Sequence, residues 1–348
     1  MKIAVLIFSS LLLLITLLPL IKNEYWVFRV CEYPRLQKLV ANVLAIVLLT
    51  FYIAEQDIFI LLFLGAMILN ALYLIYLIAP FTKIAKLQVL PVDKEVPENG
   101  ISLMIANVFQ DNTNYKGCLN EIKRVNPDVV LLLETDAAWQ DQTKILTTDF
   151  PFNVSVPIDN KYGMLLFSKL KLENSQVHYM VEKDIPSIHT EVILRNGTIF
   201  KLYAVHPTPP VPNENPTSKE RDKELLLVAE LAKKSKIPVI VIGDLNDVAW
   251  SYTTELFLKM SGLLDPRRGR GFFNTFNAHY PFLRFPLDHA FISLDWKLKK
   301  IERLNNFDSD HFPIFISLQY EERAPLEQEG LKPDANDIEI AEEKKEQI

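Results

Sequence analysis

The sequence is poor in cysteine and has no excess of positive charge. Cys31 and Cys118 are the two cysteines among 348 residues, too few for a disulfide framework or a cysteine-based zinc site. The formal net charge is −6, which argues against a generally basic nucleic-acid-binding protein but leaves a local basic patch open. No internal repeat is visible, and the length suits one large domain or two small ones.

Long apolar runs are abundant near the N-terminus. They extend from Ile3 to about Ile21, from about Leu39 to Ala54, and from Ile58 to about Pro80. The first and third can cross a hydrocarbon core of about 30 Å as helices. The second reaches that length if Gln37 and Lys38 lie at the interface. These runs predict three transmembrane helices and a multi-pass cell-membrane protein.

Two alternatives to this membrane topology fit the sequence less well. A cleaved signal peptide is disfavoured for the first run, because the run is long and no small-x-small cleavage site follows it. A transporter or channel is disfavoured because the runs contain almost no ionisable residues. The side of the membrane stays open: basic residues in the first loop place it and the C-terminal region in the cytoplasm, whereas the N-terminal Met1-Lys2 before an apolar run favours the opposite.

The rest of the chain divides by composition. The membrane region is predicted at 1–84, a linker with Pro91, Pro97 and Gly100 at 85–100, a domain at 101–320, and a charged, disordered tail at 321–348. Strands are predicted at Ile101–Ala106, Val129–Leu133, Met164–Phe167, Phe200–Val205, Val239–Ile242, Asp288–Ser293 and Ile314–Leu318, and helices at Tyr115–Asn126 and Ser218–Lys234. Alternating strands and helices predict a mixed α/β domain.

The most informative motif follows the strand that begins at Val239. This β-branched run ends at Gly243, Asp244 and Asn246, so a carboxylate and an amide emerge together from a buried strand. Such oxygen donors suit a site for a divalent cation, a water and a phosphate. Gly, Asp and Asn are also common turn residues, so the motif alone does not decide between a site and a turn.

Polar residues recur at other strand ends. These are Asn107, Glu134, His206, Asp288, Asp310 and His311. Each has an ordinary interpretation as a turn, a cap or a favourable charge at a helix start. Together they form a set suited to one hard metal ion and one phosphate.

The order of these residues resembles the endonuclease/exonuclease/phosphatase (DNase I-like) superfamily. The resemblance rests on Asn107, Leu-Glu134-Thr, His206, Gly-Asp244-Leu-Asn246, Leu-Asp288-His and Ser-Asp310-His311, and it covers about Ile101 to Tyr320. The preceding apolar runs make the chain similar to the membrane-anchored bacterial branch. The resemblance implies an α/β (α+β) four-layer sandwich of two mainly antiparallel sheets flanked by helices.

The resemblance also implies a role for each residue. Asn107, Glu134 and Asp310 would be metal ligands for Mg²⁺ or, as the alternative, Mn²⁺. Asp244 would orient or deprotonate the attacking water, and Asn246 would hold a phosphate oxygen. His311, held by Asp288, would contact the phosphate. His206 would be the second histidine of the site, near the leaving group or the phosphate. One departure is Leu133, where many members have Gln, so a polar contact beside the metal ligand Glu134 is expected to be absent.

Other residues have two interpretations. The loop from Arg267 to Arg270 either grips a phosphodiester or lipid headgroup or is a solvated turn. Arg221 either reaches a phosphate or forms an exposed ion pair with Glu220 or Asp222. Tyr162 and Trp250 are expected to pack in the core rather than stack on substrate, and His289 is expected to be structural.

The predicted function is a membrane-anchored, Mg²⁺-dependent phosphoesterase acting on phosphodiester or phosphomonoester bonds, with a nuclease slightly favoured. The alternative is an enzyme directed at phospholipids or inositol phosphates, and the remaining rival is a non-catalytic membrane-tethered binding module. The expected partners are the lipid bilayer and a phosphate-ester substrate, with nucleic acid as one candidate. The sequence predicts no protein partner.

Overall fold

The N-terminal region forms a small helical bundle. In the computed structural model, which describes residues 1–55 and 57–347, the helices are α1 (Lys2–Leu17), α2 (Trp26–Val30), α3 (Arg35–Thr50) and α4 (Ile58–Ile78). Gln56 of the predicted membrane region and Ile348 of the predicted tail lie outside the described residues. Helices α1, α3 and α4 pack through an apolar core. Lys2 and Asp57, joined by an ion pair of 2.7 Å, place the starts of α1 and α4 at one end of the bundle.

The expectation of three transmembrane helices is not met. Among the described residues, two helical segments are long and apolar enough to cross a membrane, Lys2–Ile21 and Ile58–Phe81. Helix α3 has 16 residues, and at 1.5 Å per residue it extends about 24 Å, short of the ~30 Å of a hydrocarbon core. Its first turn is also polar, and Lys38 there is buried and donates to the carbonyl of Cys31 at 2.8 Å rather than extending to an interface.

Two sheets form the centre of the remaining chain. The strands are β1 (Gly100–Asn107), β2 (Val129–Leu133), β3 (Phe152–Val156), β4 (Met164–Ser168), β5 (Leu172–His178), β6 (Ser187–Ile193), β7 (Ile199–Ala204), β8 (Val239–Asp244), β9 (Asp288–Ile292), β10 (Trp296–Arg303) and β11 (Ile314–Tyr320). The first sheet has the order β10-β11-β1-β2-β4-β3 and the second β5-β6-β7-β8-β9. Each has one parallel pair, β1 with β2 and β7 with β8, among antiparallel neighbours.

Helices cover the outer faces of both sheets. They are α5 (Tyr115–Val125), α6 (Ala137–Thr143), α7 (Lys219–Lys234) and α8 (Tyr252–Ser261), and α9 (Ala335–Glu346) packs outside α7 and α8. The alternation along β1 shows why: Leu103 and Ile105 face the second sheet, while Met104 and Ala106 face Ile122 of α5. Burying each large aliphatic side chain contributes roughly 1.5–3 kcal/mol. The predicted pair of sheets flanked by helices is confirmed.

The C-terminal tail is ordered, which corrects the expectation of disorder. An Asp334 capping box begins α9, and α9 packs on α7 and α8. Lys344 is buried and forms ion pairs of 2.8 Å with both Asp222 and Glu24. The tail is polar in composition, but its Lys344 is paired with one carboxylate of the domain and one of the loop after α1.

The loop between α1 and α3 docks on the domain. Trp250 Nε1 donates to the carbonyl of Glu32 at 3.0 Å, and the Glu32 carboxylate accepts from the main chain of Tyr252 at 2.8 Å. Tyr33 packs in a cluster with Phe81, Trp250 and Phe285. The domain therefore sits directly against one end of the helical bundle.

Candidate functional site

Polar side chains from both sheets meet at one edge of the sandwich. Asn107 ends β1 and Glu134 follows β2, and the parallel register that pairs Asn107 with Leu133 brings them together. Asn107 Nδ2 donates to Glu134 Oε1 at 2.7 Å and to Asp244 Oδ2, at the end of β8, at 3.1 Å. One amide thus links carboxylates from the two sheets.

The backbone is specialised where these side chains emerge. Glu134 and Asn246 have φ values of +57° and +50°, in the left-handed region that non-glycine residues rarely adopt. Gly243 has φ +151°, and a Cβ there would lie 1.8 Å from the carbonyl oxygen of Val205. The Gly before Asp244 is therefore required by a close approach of the neighbouring backbone.

A second group of residues lies against Asp244. His311 Nδ1 donates to Asp288 Oδ2 at 2.8 Å, and His311 Nε2 lies 3.5 Å from Asp244 Oδ2. Burial opposes the charged imidazole, but the carboxylates of Asp288 and Asp244 outweigh it and raise the pKa of His311 to about 10. His311 is therefore cationic at neutral pH and suited to contact an anionic oxygen.

The second histidine is in a different state. His206 Nε2 lies 3.9 Å from Asp244 Oδ2, and burial lowers the pKa of His206 to about 4. Its Nδ1 is buried without a hydrogen-bond partner among the described residues. The ring of Tyr162 packs 5.1 Å from it, and the Tyr162 hydroxyl donates to Glu214. His206 is a neutral imidazole at the edge of the site.

The donor set fits a hard divalent cation. Burial raises the pKa of Glu134 to about 7, and Asp310 and Asp244 add to this effect. Asp310 Oδ1 is buried with no protein partner within the described part of the chain. Concentrated, incompletely satisfied carboxylate oxygens are the ligands that Mg²⁺ prefers.

One acidic and imidazole cluster has the spacing of a metal site, with ligand atoms of Asp244, Asp288 and His311 within 4.8 Å of one another. We nevertheless expect a cation to bind beside Glu134 and Asp310 rather than at this cluster. A protonated His311 has no lone pair to offer a metal ion, because both of its ring nitrogens carry a proton.

Asn246 is held by its main chain. Its carbonyl accepts from Arg221 Nη1 at 2.8 Å and from the Tyr33 hydroxyl at 3.0 Å, while its side chain donates to the carbonyl of Pro207. Arg221 is fully buried and paired with Asp222 at 2.9 Å and Asp247 at 3.4 Å. Neither prediction for Arg221 holds: it is not free to reach a phosphate, and its ion pair is buried.

The loop from Arg267 to Arg270 is part of the interior. Arg267 pairs with Asp265 at 2.8 Å and donates to His289 Nδ1 at 2.6 Å, and Arg270 donates to the carbonyl of Val89 at 2.7 Å. His289 is structural, as predicted. Tyr162 and Trp250 are buried, also as predicted.

Three contacts were not foreseen. Phe276 packs its ring 4.9 Å from that of His311. The buried Ser309 hydroxyl donates to the carbonyl of Asn107 at 2.8 Å. The Tyr33 hydroxyl, from the loop between α1 and α3, donates to the carbonyl of Asn246, 213 residues further along the chain. The Ser that precedes Asp310-His311 was a visible signal for the second contact, but nothing local in the sequence indicates the first or third.

Comparisons with known proteins agree with this geometry. Residues 104–311 match the model of the Endonuclease/Exonuclease/phosphatase family. A comparison with curated proteins finds no match.

Solved structures share the fold. A humanised D. rerio TDP2 is 18% identical with a TM-score of 0.54, covering 64% of this chain and 99% of that one. The human Nocturnin catalytic domain, with bound sulfate, is 17% identical with a TM-score of 0.52, covering 65% and 96%. A Beutenbergia cavernae endonuclease/exonuclease/phosphatase is 14% identical with a TM-score of 0.53, covering 64% and 72%. D. rerio TDP2 has also been solved with a single-stranded DNA product, at 18% identity and a TM-score of 0.53, covering 63% and 99%.

Proposed function

The chain belongs to the endonuclease/exonuclease/phosphatase family, and we propose that it is a membrane-anchored, Mg²⁺-dependent phosphoesterase that hydrolyses phosphodiester or phosphomonoester bonds. The observation that carries the proposal is the meeting of Asn107, Glu134, Asp244 and His311. Contacts of 2.7, 3.1 and 3.5 Å connect these four side chains across the two sheets.

Each side chain has a role in this proposal. Asp244 accepts the proton of the attacking water, whose oxygen bonds to phosphorus as one P–O ester bond breaks and the leaving oxygen takes up a proton. His311 and the Asn246 amide hold phosphate oxygens, and Asp288 keeps His311 oriented and charged. Glu134, Asp310 and Asn107 would hold Mg²⁺, which supplies charge stabilisation for the phosphoryl group when bound.

The membrane anchor is supported by the two apolar helical segments. Their outward side chains are large and apolar, including Ile7, Leu14, Leu62 and Leu69, each more than half exposed. A lipid environment would cover this surface, which is otherwise unusual for a protein in water.

Nucleic acid is one candidate substrate. The D. rerio TDP2 structure contains a single-stranded DNA product, and the shared fold supports testing DNA here. The Arg267–Arg270 loop does not add to this case, since Arg267 is buried and Arg270 is held by main-chain carbonyls.

The test uses the purified full chain in detergent or nanodiscs with bis(4-nitrophenyl) phosphate, single-stranded DNA and Mg²⁺. We expect turnover that a chelator abolishes and that Asp244→Asn reduces about 10³-fold, as expected for loss of a proton-transfer group. Asp149→Asn, at an exposed carboxylate, is the matched control. Full turnover by Asp244→Asn would show that the water-activating residue is misassigned.

A further inference from the structure

One loop connects the candidate site to an exposed apolar surface. At its start, Phe276 packs on the His311 ring at 4.9 Å, and the main-chain N–H of Ala278 donates to the carbonyl of Asp310 at 2.6 Å. Beyond these contacts the loop exposes Tyr280, Phe282 and Leu283 by 62%, 87% and 52%. We call these three residues the apolar tip. The wall of the pocket and the tip therefore belong to a single loop.

The apolar tip lies beside the helical bundle. Gln37, in the first turn of α3, donates from Nε2 to the carbonyl of Phe282 at 2.8 Å. Val40, one turn further along α3, is 64% exposed, and three residues of helix span only about 4.5 Å. The tip is thus continuous with the outward apolar surface of the bundle.

Two arginines stand between the tip and the site. The guanidinium carbons of Arg284 and Arg303 lie 4.8 and 4.3 Å from the ring centre of Phe312, the residue after His311. Each donates to a main-chain carbonyl, that of Ala278 or Asn274. In the described part of the chain neither has a carboxylate partner, so two neighbouring cations are left without a counter-charge.

From these contacts we infer that the apolar tip inserts into the bilayer surface beside α3, and that Arg284 and Arg303 hold an anionic lipid headgroup there. The chemistry is that of interfacial binding, in which buried apolar side chains and basic residues act together on anionic lipids. The inference rests on the proposed function for its consequence: the phosphate ester presented to Asp244 and His311 belongs to a membrane lipid.

A lipid surface explains the apolar tip better than nucleic acid does. Aromatic side chains can stack on bases, but the aliphatic side chain of Leu283 cannot. A bilayer accommodates both the aliphatic and the aromatic members of the tip. Single-stranded DNA is therefore included as a competing substrate in the test.

The first measurement detects insertion of the apolar tip into the bilayer and does not depend on enzymatic activity. The full chain carrying Phe282→Trp is reconstituted in vesicles of phosphatidylcholine and phosphatidylglycerol with brominated acyl chains, and the quenching is compared with that of the unmodified protein. Ile145→Trp is the matched control, because Ile145 is 69% exposed and lies on the outer layer of the first sheet. We expect the tip variant to be quenched about twofold more strongly, and equal quenching would overturn the inference.

The second measurement determines whether the enzyme prefers a lipid phosphate ester to a soluble one. The ratio of turnover on vesicle-embedded phosphatidic acid or phosphatidylglycerol to turnover on bis(4-nitrophenyl) phosphate should fall about tenfold in Phe282→Ser/Leu283→Ser and in Arg284→Ala/Arg303→Ala. It should be unchanged in Ile145→Ser. Turnover of single-stranded DNA but not of either lipid would overturn the lipid assignment and leave the proposed function standing. Failure on every ester would reject the proposed function, while the quenching result would still decide whether the tip inserts.

Discussion

At the scale of single residues, the state of His311 depends on Asp288. The pKa of His311 is raised to about 10, above the ordinary histidine value of about 6.5. The charged form of His311 therefore contributes its full stabilisation of the fold below about pH 6.5. This contribution is lost as the pH rises through the pKa of His311 in the folded protein. The same charge supports phosphate contact up to alkaline pH.

The variant Asp288→Asn tests this dependence. Without the carboxylate, burial acts on His311 with less opposition, so we expect the alkaline limb of the activity–pH profile to move down by about one pH unit or more. The measurement is kcat/KM on bis(4-nitrophenyl) phosphate across pH 6 to 10. Asp149→Asn is again the control, and an alkaline limb that stays in place would show that Asp288 does not set the charge of His311.

The identities of the candidate residues were predictable from the sequence, but their partners were not. Asn107, Glu134 and Asp244 each follow an apolar strand, and this local pattern is visible in the chain. The ion pairs of Arg221 and the hydroxyl of Tyr33 on Asn246 depend on packing between distant segments. Periodicity reports which face of an element is apolar, and it carries no information on which polar groups meet across elements.

At the scale of elements, Gly243 allows β8 to lie close to the backbone after β7 and so positions Asp244 in the site. An added Cβ at this position meets the Val205 carbonyl at 1.8 Å, so the parallel neighbours β7 and β8 would have to separate. We expect Gly243→Ala to destabilise the protein by well over ~1 kcal/mol and to lower Tm. It should also reduce turnover, because Asp244 is the next residue.

Gly197 provides the matched comparison. It also has a positive φ, +88°, but an added Cβ there meets nothing within 4 Å. Gly197→Ala should therefore cost only the conformational strain, about 1 kcal/mol, with turnover retained. Similar losses of Tm in the two alanine variants would show that the close approach at Val205 is not what requires glycine.

Elements with clear apolar runs were predictable, and polar ones were not. All seven predicted strands and both predicted helices correspond to observed elements, with ends shifted by a few residues. Strand β5 was missed because its middle, from Asn174 to Gln176, is polar and exposed on the edge of the second sheet. Helix α9 was missed because charged residues dominate it and tertiary ion pairs hold it in place.

At the scale of the whole molecule, Lys344 connects the C-terminal helix to both the domain and the loop after α1. It is almost fully buried between Asp222 and Glu24. Removing one member of a buried ion pair costs about 3–5 kcal/mol, so Lys344→Ala should lower Tm clearly. Lys332→Ala, at an exposed lysine paired with Glu329, should leave Tm unchanged. Equal effects of the two variants on Tm would mean that the ion pairs of α9 do not stabilise the fold.

The same ion pair constrains the topology of the proposed membrane anchor. Glu24 follows α1 and Lys344 lies in the last helix, so we expect the first loop and the C-terminus on the same side of a bilayer. The ion pair between Lys2 and Asp57 places the other ends of α1 and α4 at the opposite end of the bundle. Helix α3 runs between these two ends of the bundle and extends only about 24 Å.

Cysteine accessibility in right-side-out and inverted vesicles tests this arrangement in a background with Cys31→Ser and Cys118→Ser. Asn23→Cys and Gln347→Cys are expected to react with a membrane-impermeant maleimide from the same side, and Phe51→Cys, at the 75% exposed residue after α3, from the other. Labelling of Asn23→Cys and Phe51→Cys from one side would mean that the two ends of the bundle do not lie on opposite sides of the membrane. Since the apolar tip contacts α3 at Gln37, we expect the candidate site to face lipids of the leaflet on the side that labels Asn23→Cys.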